Sequence, residues 1–271
     1  MTLTTRLSAA LALAAGLAIA APQQAPNPAD LSDAEKDKFL AEGTIEGMVA
    51  IDHGVTKPQR AKLAYKGMTH DGHIQTISRE LPPFIRDGNA YPNHDSWKYN
   101  VAAYRIDRML DVNMVPNAVV RKFHNGNTAF SWWADNVMME EVERRKKELK
   151  PPDAEAWDRQ VETGKVFDEL IINIDRNLGN LLVSKDWKLI LIDHTRAFTA
   201  YPNIRNTENL NRVSRHMVAK MKELNKENLT AKVGDMLTAA EIDALLQRRD
   251  KIIAYFEKLA AEKGENAVYF P

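Results

Sequence analysis

The chain has 271 residues, with 37 Lys+Arg against 37 Asp+Glu, a formal net charge of zero and a hydrophobic fraction of 44%. This composition excludes an intrinsically disordered chain and argues against a dedicated nucleic-acid binder. With no cysteine in the sequence, disulfides, thiol catalysis and Cys-ligated zinc are excluded, and the length suits one large domain or two lobes.

The chain begins MTLTTRLSAALALAAGLAIAAPQQ, with one cation, Arg6, then an apolar run from Leu7 to Ala20. Ala18 and Ala20 form an A-x-A-like cleavage site, and the run is short for a membrane span. Residues 1–20 therefore read as a Sec-type signal peptide. The mature protein is expected to be exported, periplasmic or extracellular, with no integral membrane segment after cleavage. The Pro-rich, polar residues 21–30 read as a flexible linker.

In LSDAEKDKFLAEG, Ser32 and Glu35 have capping-box spacing, so a short helix starts there and Gly43 ends it. TIEGMVAI, RAKLAY and GHIQTI then read as three antiparallel strands. They are joined by DHGVTKP (Asp52 to Pro58) and KGMTHDG (Lys66 to Gly72). DSWKYNVAAYRIDRMLDV is helical, with Tyr99, Ala102, Ile106 and Leu110 as its apolar stripe. Two strands follow around HNGN, where Asn125-Gly126 is a hairpin signal. The first half thus reads β-β-β-α-β-β.

The second half is mostly helical. MMEEVERRKKELK reads as a charged surface helix ended by Pro151-Pro152, with Glu140–Arg144 and Glu143–Lys147 pairs on a solvated face. AEAWDRQVETGKVFDELIINI is a second helix, apolar at Trp157, Val161, Phe167, Leu170 and Ile171. NTENLNRVSRHMVAKMKELN is a third. A long fourth starts at the Thr238/Glu241 capping box.

Between the second and third helices lies the most informative stretch. NIDRNLGNLLV (Asn173 to Val183) sets a polar run between apolar ones, and LILIDHTRAF then delivers Asp193 from a second strand. A hairpin with polar turns would explain DRNLGN alone. With Asp193, the arrangement brings Asp175, Asn180 and Asp193 to one rim. Asn180 and Asp193 are hard oxygen donors of the kind Mg²⁺ takes, and Asp175 is placed to accept a proton from a hydroxyl.

Asp175 and Asn180 match the Asp-x-x-x-x-Asn catalytic loop, and Asp193 matches the metal-binding Asp that follows it. The chain therefore resembles the atypical branches of the protein-kinase-like fold: phosphatidylinositol-kinase-related, HipA-like and secretory-pathway Golgi kinases. The resemblance runs from Gly43 to the C-terminus and is specific from Asp175 to Phe198. It implies an α+β, two-lobed fold: a small antiparallel sheet with one helix (residues 31–136), then a mainly helical lobe (137–271) holding the catalytic-loop and metal-binding strands at 173–198. It implies ATP or another nucleotide with Mg²⁺ or Mn²⁺ as cofactors, and a protein, lipid or small-molecule acceptor. Asp175 becomes the catalytic base, and Asn180 and Asp193 the metal ligands. Arg176 and Asn177 shape the loop, with Asn177 a candidate for the phosphate or metal. The adenine hinge falls at Trp132 to Asn136, with Trp133 as a cofactor candidate. Arg196 either meets a phosphate or pairs with an acid.

The sequence also departs from that pattern. The third strand offers Gln75 where a phosphate-clamping Lys is expected, leaving Lys66 and Lys98 as substitutes. The helix offers Asn100 where a Glu would orient that Lys. The loop over the phosphates holds a single glycine, Gly54. A catalytically degenerate relative, a secreted binding or regulatory module, is the alternative these departures raise. HDGH (His70 to His73) lacks a second cluster at zinc spacing, which argues against a zinc site.

Overall fold

The computed structural model describes residues 27–51 and 58–271. The expected signal peptide, linker residues 21–26 and Asp52–Lys57 with Gly54 lie outside them. Pro28–Asp30 forms a 3-10 turn capped by Asn27. The first helix, α1 (Asp33–Glu42), carries the expected capping box of Ser32 and Glu35. Strands β1 (Thr44–Ala50), β2 (Gln59–Tyr65) and β3 (Met68–Gln75) follow as an antiparallel meander. The turn between the last two is Lys66-Gly67, at φ 49° and 78°, so β3 starts earlier than GHIQTI.

Next comes a hairpin that the sequence reading leaves out: β4 (Ser78–Arg86) and β5 (Asn89–Ser96), paired only with each other. Its turn, Asp87-Gly88 at φ 50° and 74°, is a hairpin signal. Pro82-Pro83 and Pro92 hide the strands, because proline breaks the usual pattern. An irregularity in register between Leu81 and Phe84 accommodates the proline pair. Helix α2 (Lys98–Met109) leads to β6 (Ala118–Phe123) and β7 (Gly126–Trp132). The connecting turn is His124-Asn125 rather than Asn125-Gly126, since Phe123 pairs with Gly126. The main sheet has the order β1-β2-β3-β7-β6.

Residues 137–140 are strand, not helix. β8 (Val137–Glu140) pairs with β9 (Leu181–Ser184), which pairs with β10 (Leu189–Leu191). Helix α3 (Glu141–Lys146) is therefore short. The Glu140–Arg144 and Glu143–Lys147 pairs are replaced: Glu141 is buried and takes Arg144 and Arg145, while Lys146 pairs with Glu143. Glu140 still belongs to the strand, which shifts the helical register of partners. Helix α4 (Ala154–Leu170) is capped by Asp153.

The expected helix over 206–225 is broken. Thr207–Asn209 is a 3-10 turn and β11 (Val213–Ser214) comes before α5 (Arg215–Glu223). Ser214 accepts the Met217 N–H and starts α5 there. Helix α6 (Lys226–Val233), the long α7 (Ala239–Lys263) with its Thr238/Glu241 box, and α8 (Glu265–Val268) follow, and β12 (Tyr269–Phe270) pairs parallel with β11.

Two apolar cores result. Phe39, Leu40, Leu63, Ile74, Phe130 and Trp132 fill the space between α1 and the main sheet. A larger core joins α2 to the helical half through residues such as Ile106, Phe167, Phe198 and Phe256. Helix α2 thus ties the sheet to the helical half. No helix among the described residues is long and apolar enough to cross a membrane.

Candidate active site

The loop after α4 is built around one guanidinium. Arg176 donates from Nε and Nη2 to both carboxylate oxygens of Asp168 on α4, at 2.7 and 3.0 Å. Its Nη1 donates to the carbonyls of Asn180 (2.8 Å) and Ile192 (2.6 Å), and its Nη2 lies 2.9 Å from His194 Nε2. One side chain therefore joins α4, the start of β9, the end of β10 and the segment beyond it. His194 is buried, and burial together with the Arg176 charge pushes its imidazole well below the ordinary range. A neutral ring accepts from Arg176 at Nε2. The His194 backbone N–H donates to Asn100 Oδ1 on α2 at 2.8 Å.

Local turns place the functional groups. Asn173 Oδ1 accepts the Asp175 N–H at 3.2 Å, and Asn173 Nδ2 donates to Asp168 at 3.2 Å. Asn177 Oδ1 accepts the Gly179 N–H at 2.9 Å and starts the 3-10 turn Leu178–Asn180. A Cβ on Gly179 would lie 3.2 Å from that same oxygen, so the turn favours glycine. Asn180 accepts the Ile192 N–H at 3.1 Å, which sets Asn180 beside Asp193 across the strand pair. Asp193 is held in the left-handed region at φ 52°. Its Oδ1 accepts from the Thr195 hydroxyl at 3.0 Å.

A divalent cation fits these residues. The Asn180 carboxamide has no hydrogen-bond partner among the described residues, and Asp193 is exposed with only Thr195 on its carboxylate. Two neighbouring hard oxygen donors suit a Mg²⁺-type ion, which takes few protein ligands and completes its shell with water and phosphate. Among the described residues, no group of three or more His, Cys, Asp or Glu side chains is placed to hold a metal. That includes HDGH: His70 instead stacks on Trp132 at 3.7 Å and meets Asp135 at 2.8 Å.

The other candidates are placed unequally. Lys66 occupies the β2–β3 turn, its Nζ over the Tyr65 ring at 5.1 Å. His73, the β3 residue that feels the Asp193 charge, is seven positions further along, so Lys66 sits about 20 Å from it along the strand. Gln75 is buried, its Oε1 accepting the Ile77 N–H at 3.3 Å. Lys98 is exposed on the first turn of α2, between Ser96 and Asn100, which bond the backbone of residues 195 and 194. The Trp133 backbone N–H donates to the Asp71 carbonyl, and its ring lies under the Arg60 guanidinium at 4.3 Å. Its neighbour Trp132 turns to the α1 side and donates to Asp135.

Three side chains near the site, His73, Asp95 and Arg79, are given no role there by the sequence reading, which does single out Arg196. His73 lies within range of the Asp193 charge: burial pushes its imidazole down and that charge works against the shift. Strand alternation from Gln75 was the signal, because His73 shares its face. Arg196 reaches Asp175 at 3.1 Å and Asp95 at 3.4 Å. Asp95 and Arg79 belong to the hairpin the sequence reading lacked.

No family model and no curated protein sequence matches the chain. Solved structures do. The structure of hydra Fam20 with sugar matches with a TM-score of 0.64 at 15% identity, over 86% of this chain and 90% of that one. The proinflammatory kinase CtkA of Helicobacter pylori matches with a TM-score of 0.52 at 10% identity, over 83% of this chain and 98% of that one. The chain has an atypical kinase-like fold. The main sheet and α2 belong to the N-terminal half of this fold, and Asp175, Asn180 and Asp193 to the C-terminal half.

Proposed function

We propose that this protein is a metal-dependent phosphotransferase that takes its phosphoryl group from ATP and works outside the cytoplasm after export. One observation carries the reading: a single guanidinium, Arg176, holds the loop of Asp175, the carbonyl of Asn180 and the strand end before Asp193 in one constellation. Asp175 accepts the proton of an acceptor hydroxyl, and its half-exposed carboxylate leaves room for that approach. Asn180 and Asp193 hold Mg²⁺ or Mn²⁺, which when bound neutralises charge on the phosphate oxygens. The hinge residues Trp132 to Asn136, fastened by Asp135 to His70 and Trp132, border the adenine side, with Trp133 toward the base. The N-terminal apolar run supports export. The acceptor is a hydroxyl-bearing protein, lipid or small molecule.

A second reading, a pseudokinase that binds partners without chemistry, is favoured by α2. Its Asn100 stands where a Glu would orient a clamping Lys, and it is engaged by the His194 backbone. Thermal unfolding of the mature protein with ATP and Mg²⁺ or Mn²⁺, followed by phosphate release from ATP, tests both. A metal-dependent rise in midpoint with turnover supports the transferase, and a rise without turnover supports the pseudokinase. No rise with any nucleotide sinks the nucleotide-binding reading altogether.

A further inference from the structure

Asp95 is the penultimate residue of β5, at the root of the β4–β5 hairpin, with 1% of its side chain exposed. Its Oδ2 accepts from two arginines: Arg79 through Nη2 (2.9 Å) and Nε (3.3 Å), and Arg196 through Nε (3.4 Å). Its Oδ1 is buried with no hydrogen-bond partner. Arg196 continues to the proposed base, its Nη1 lying 3.1 Å from Asp175 Oδ2. The result is a relay: Arg79, Asp95, Arg196, Asp175.

An ion pair that served the fold alone would spread two guanidinia over both oxygens of a desolvated carboxylate. Here both crowd one oxygen and the other is left bare. An orphaned buried acceptor is costly and calls for a reason. The bare Oδ1 gives Arg196 a second place to bond, so its guanidinium can turn without leaving Asp95. Arg196 is 30% exposed, and its Nη2 has no partner among the described residues. A kinase-like site needs a cation on the nucleotide phosphates. Lys66 is remote, and an arginine fork matches a phosphate better than a point charge does.

We infer that Arg196, carried by the buried Asp95, is the phosphate-binding cation of this site, taking the terminal phosphate of the metal–nucleotide as it turns from Asp175. Arg79 and Asp95 are positioning residues: they touch no substrate and act by holding Arg196. The inference rests on the nucleotide-binding reading given above.

Calorimetric titration of the mature chain tests it, with Mg²⁺ present and adenosine, ADP and the β,γ-methylene analogue of ATP as probes. Arg196→Gln weakens the triphosphate analogue by about tenfold or more, the effect of losing one charge-assisted hydrogen bond. It leaves adenosine unchanged. Arg196→Lys recovers part of the loss, and Asp95→Asn gives the same pattern at smaller size. The Lys variant is read alone if circular dichroism shows Arg196→Gln unfolded. Equal weakening of adenosine and triphosphate would overturn the inference. So would an unchanged triphosphate affinity in Arg196→Gln while Asp193→Asn abolishes it; Arg196 would then serve Asp175 only. A wild-type chain that binds none of the three probes would overturn the nucleotide reading itself, and this inference with it.

Discussion

Arg176 and Asp168 meet in a two-point contact, Nε to Oδ2 at 2.7 Å and Nη2 to Oδ1 at 3.0 Å, with only 12% and 13% of the two side chains exposed. The pair anchors the catalytic-loop candidate to α4. Arg176→Met leaves the desolvated Asp168 carboxylate with only the Asn173 amide on it, and strips the Ile192 carbonyl of its donor. The expected cost is about 3 kcal/mol, read from urea unfolding at pH 7. A loss below about 1 kcal/mol, the range of an exposed pair, would show that the contact does not organise the loop.

Asp193 offers a cleaner separation of fold from site. At φ 52° the backbone is left-handed, a region that Asn adopts readily and Ala enters at a cost of about 1 kcal/mol. Without ligand, Asp193→Asn should melt like the wild type and Asp193→Ala a little lower. With ATP and Mg²⁺ near 100 times the wild-type Kd, both should lack the ~2.7 kcal/mol of ligand stabilisation. Retention of that gain in Asp193→Asn would remove Asp193 from the metal site.

Glu141 sets an acid limit on the α3 region. Its burial pushes the carboxyl up, but hydrogen bonds and charge from Arg144 and Arg145 outweigh that and hold it below its ordinary value of 4.5. For a depressed carboxyl, the stabilisation is complete above the unfolded value and is lost as pH falls through the folded one. Glu141→Gln should therefore cost about 2 kcal/mol at pH 7. The gap to the wild type should narrow as pH falls below 4.5. Urea midpoints measured from pH 7 to pH 3 check this; a gap that stays constant would refute the assignment.

Arg248 on α7 is fully buried and donates to the carbonyls of Leu170, Thr199 and Tyr201. Burial lowers its guanidinium to about 9, against the pull of Glu169 and Glu241. It thereby joins the end of α4 to the segment following Asp193. Arg248→Met should cost about 3 kcal/mol, because three buried carbonyls lose their donor and Glu169 and Glu241 lose a nearby compensating charge. Amide exchange should rise first in residues 197–201, and uniform exchange across the chain would contradict that local role.

Much of this protein is legible residue by residue. The Ser32/Glu35 and Thr238/Glu241 boxes act within one helical turn, so spacing alone locates α1 and α7. DRNLGN is contiguous, and Asp175, Arg176, Asn177 and Asn180 were all named from it. The same reasoning failed for β4 and β5, where prolines erase the alternation, and at Met138-Met139, where pairing with β9 overrides helix propensity.

What sequence alone determined was local: caps, periodicity, and a polar loop followed by a strand pair that leads to Asp193. Tertiary structure decided the rest. It left Lys66 in the β2–β3 turn, brought His73 within range of the Asp193 charge, and brought Asp95 to Arg196 across 101 positions of chain. Capping and periodicity act over a few residues and leave a mark in their spacing. A long-range ion pair leaves none, since any acid and base can pair once the fold has placed them together.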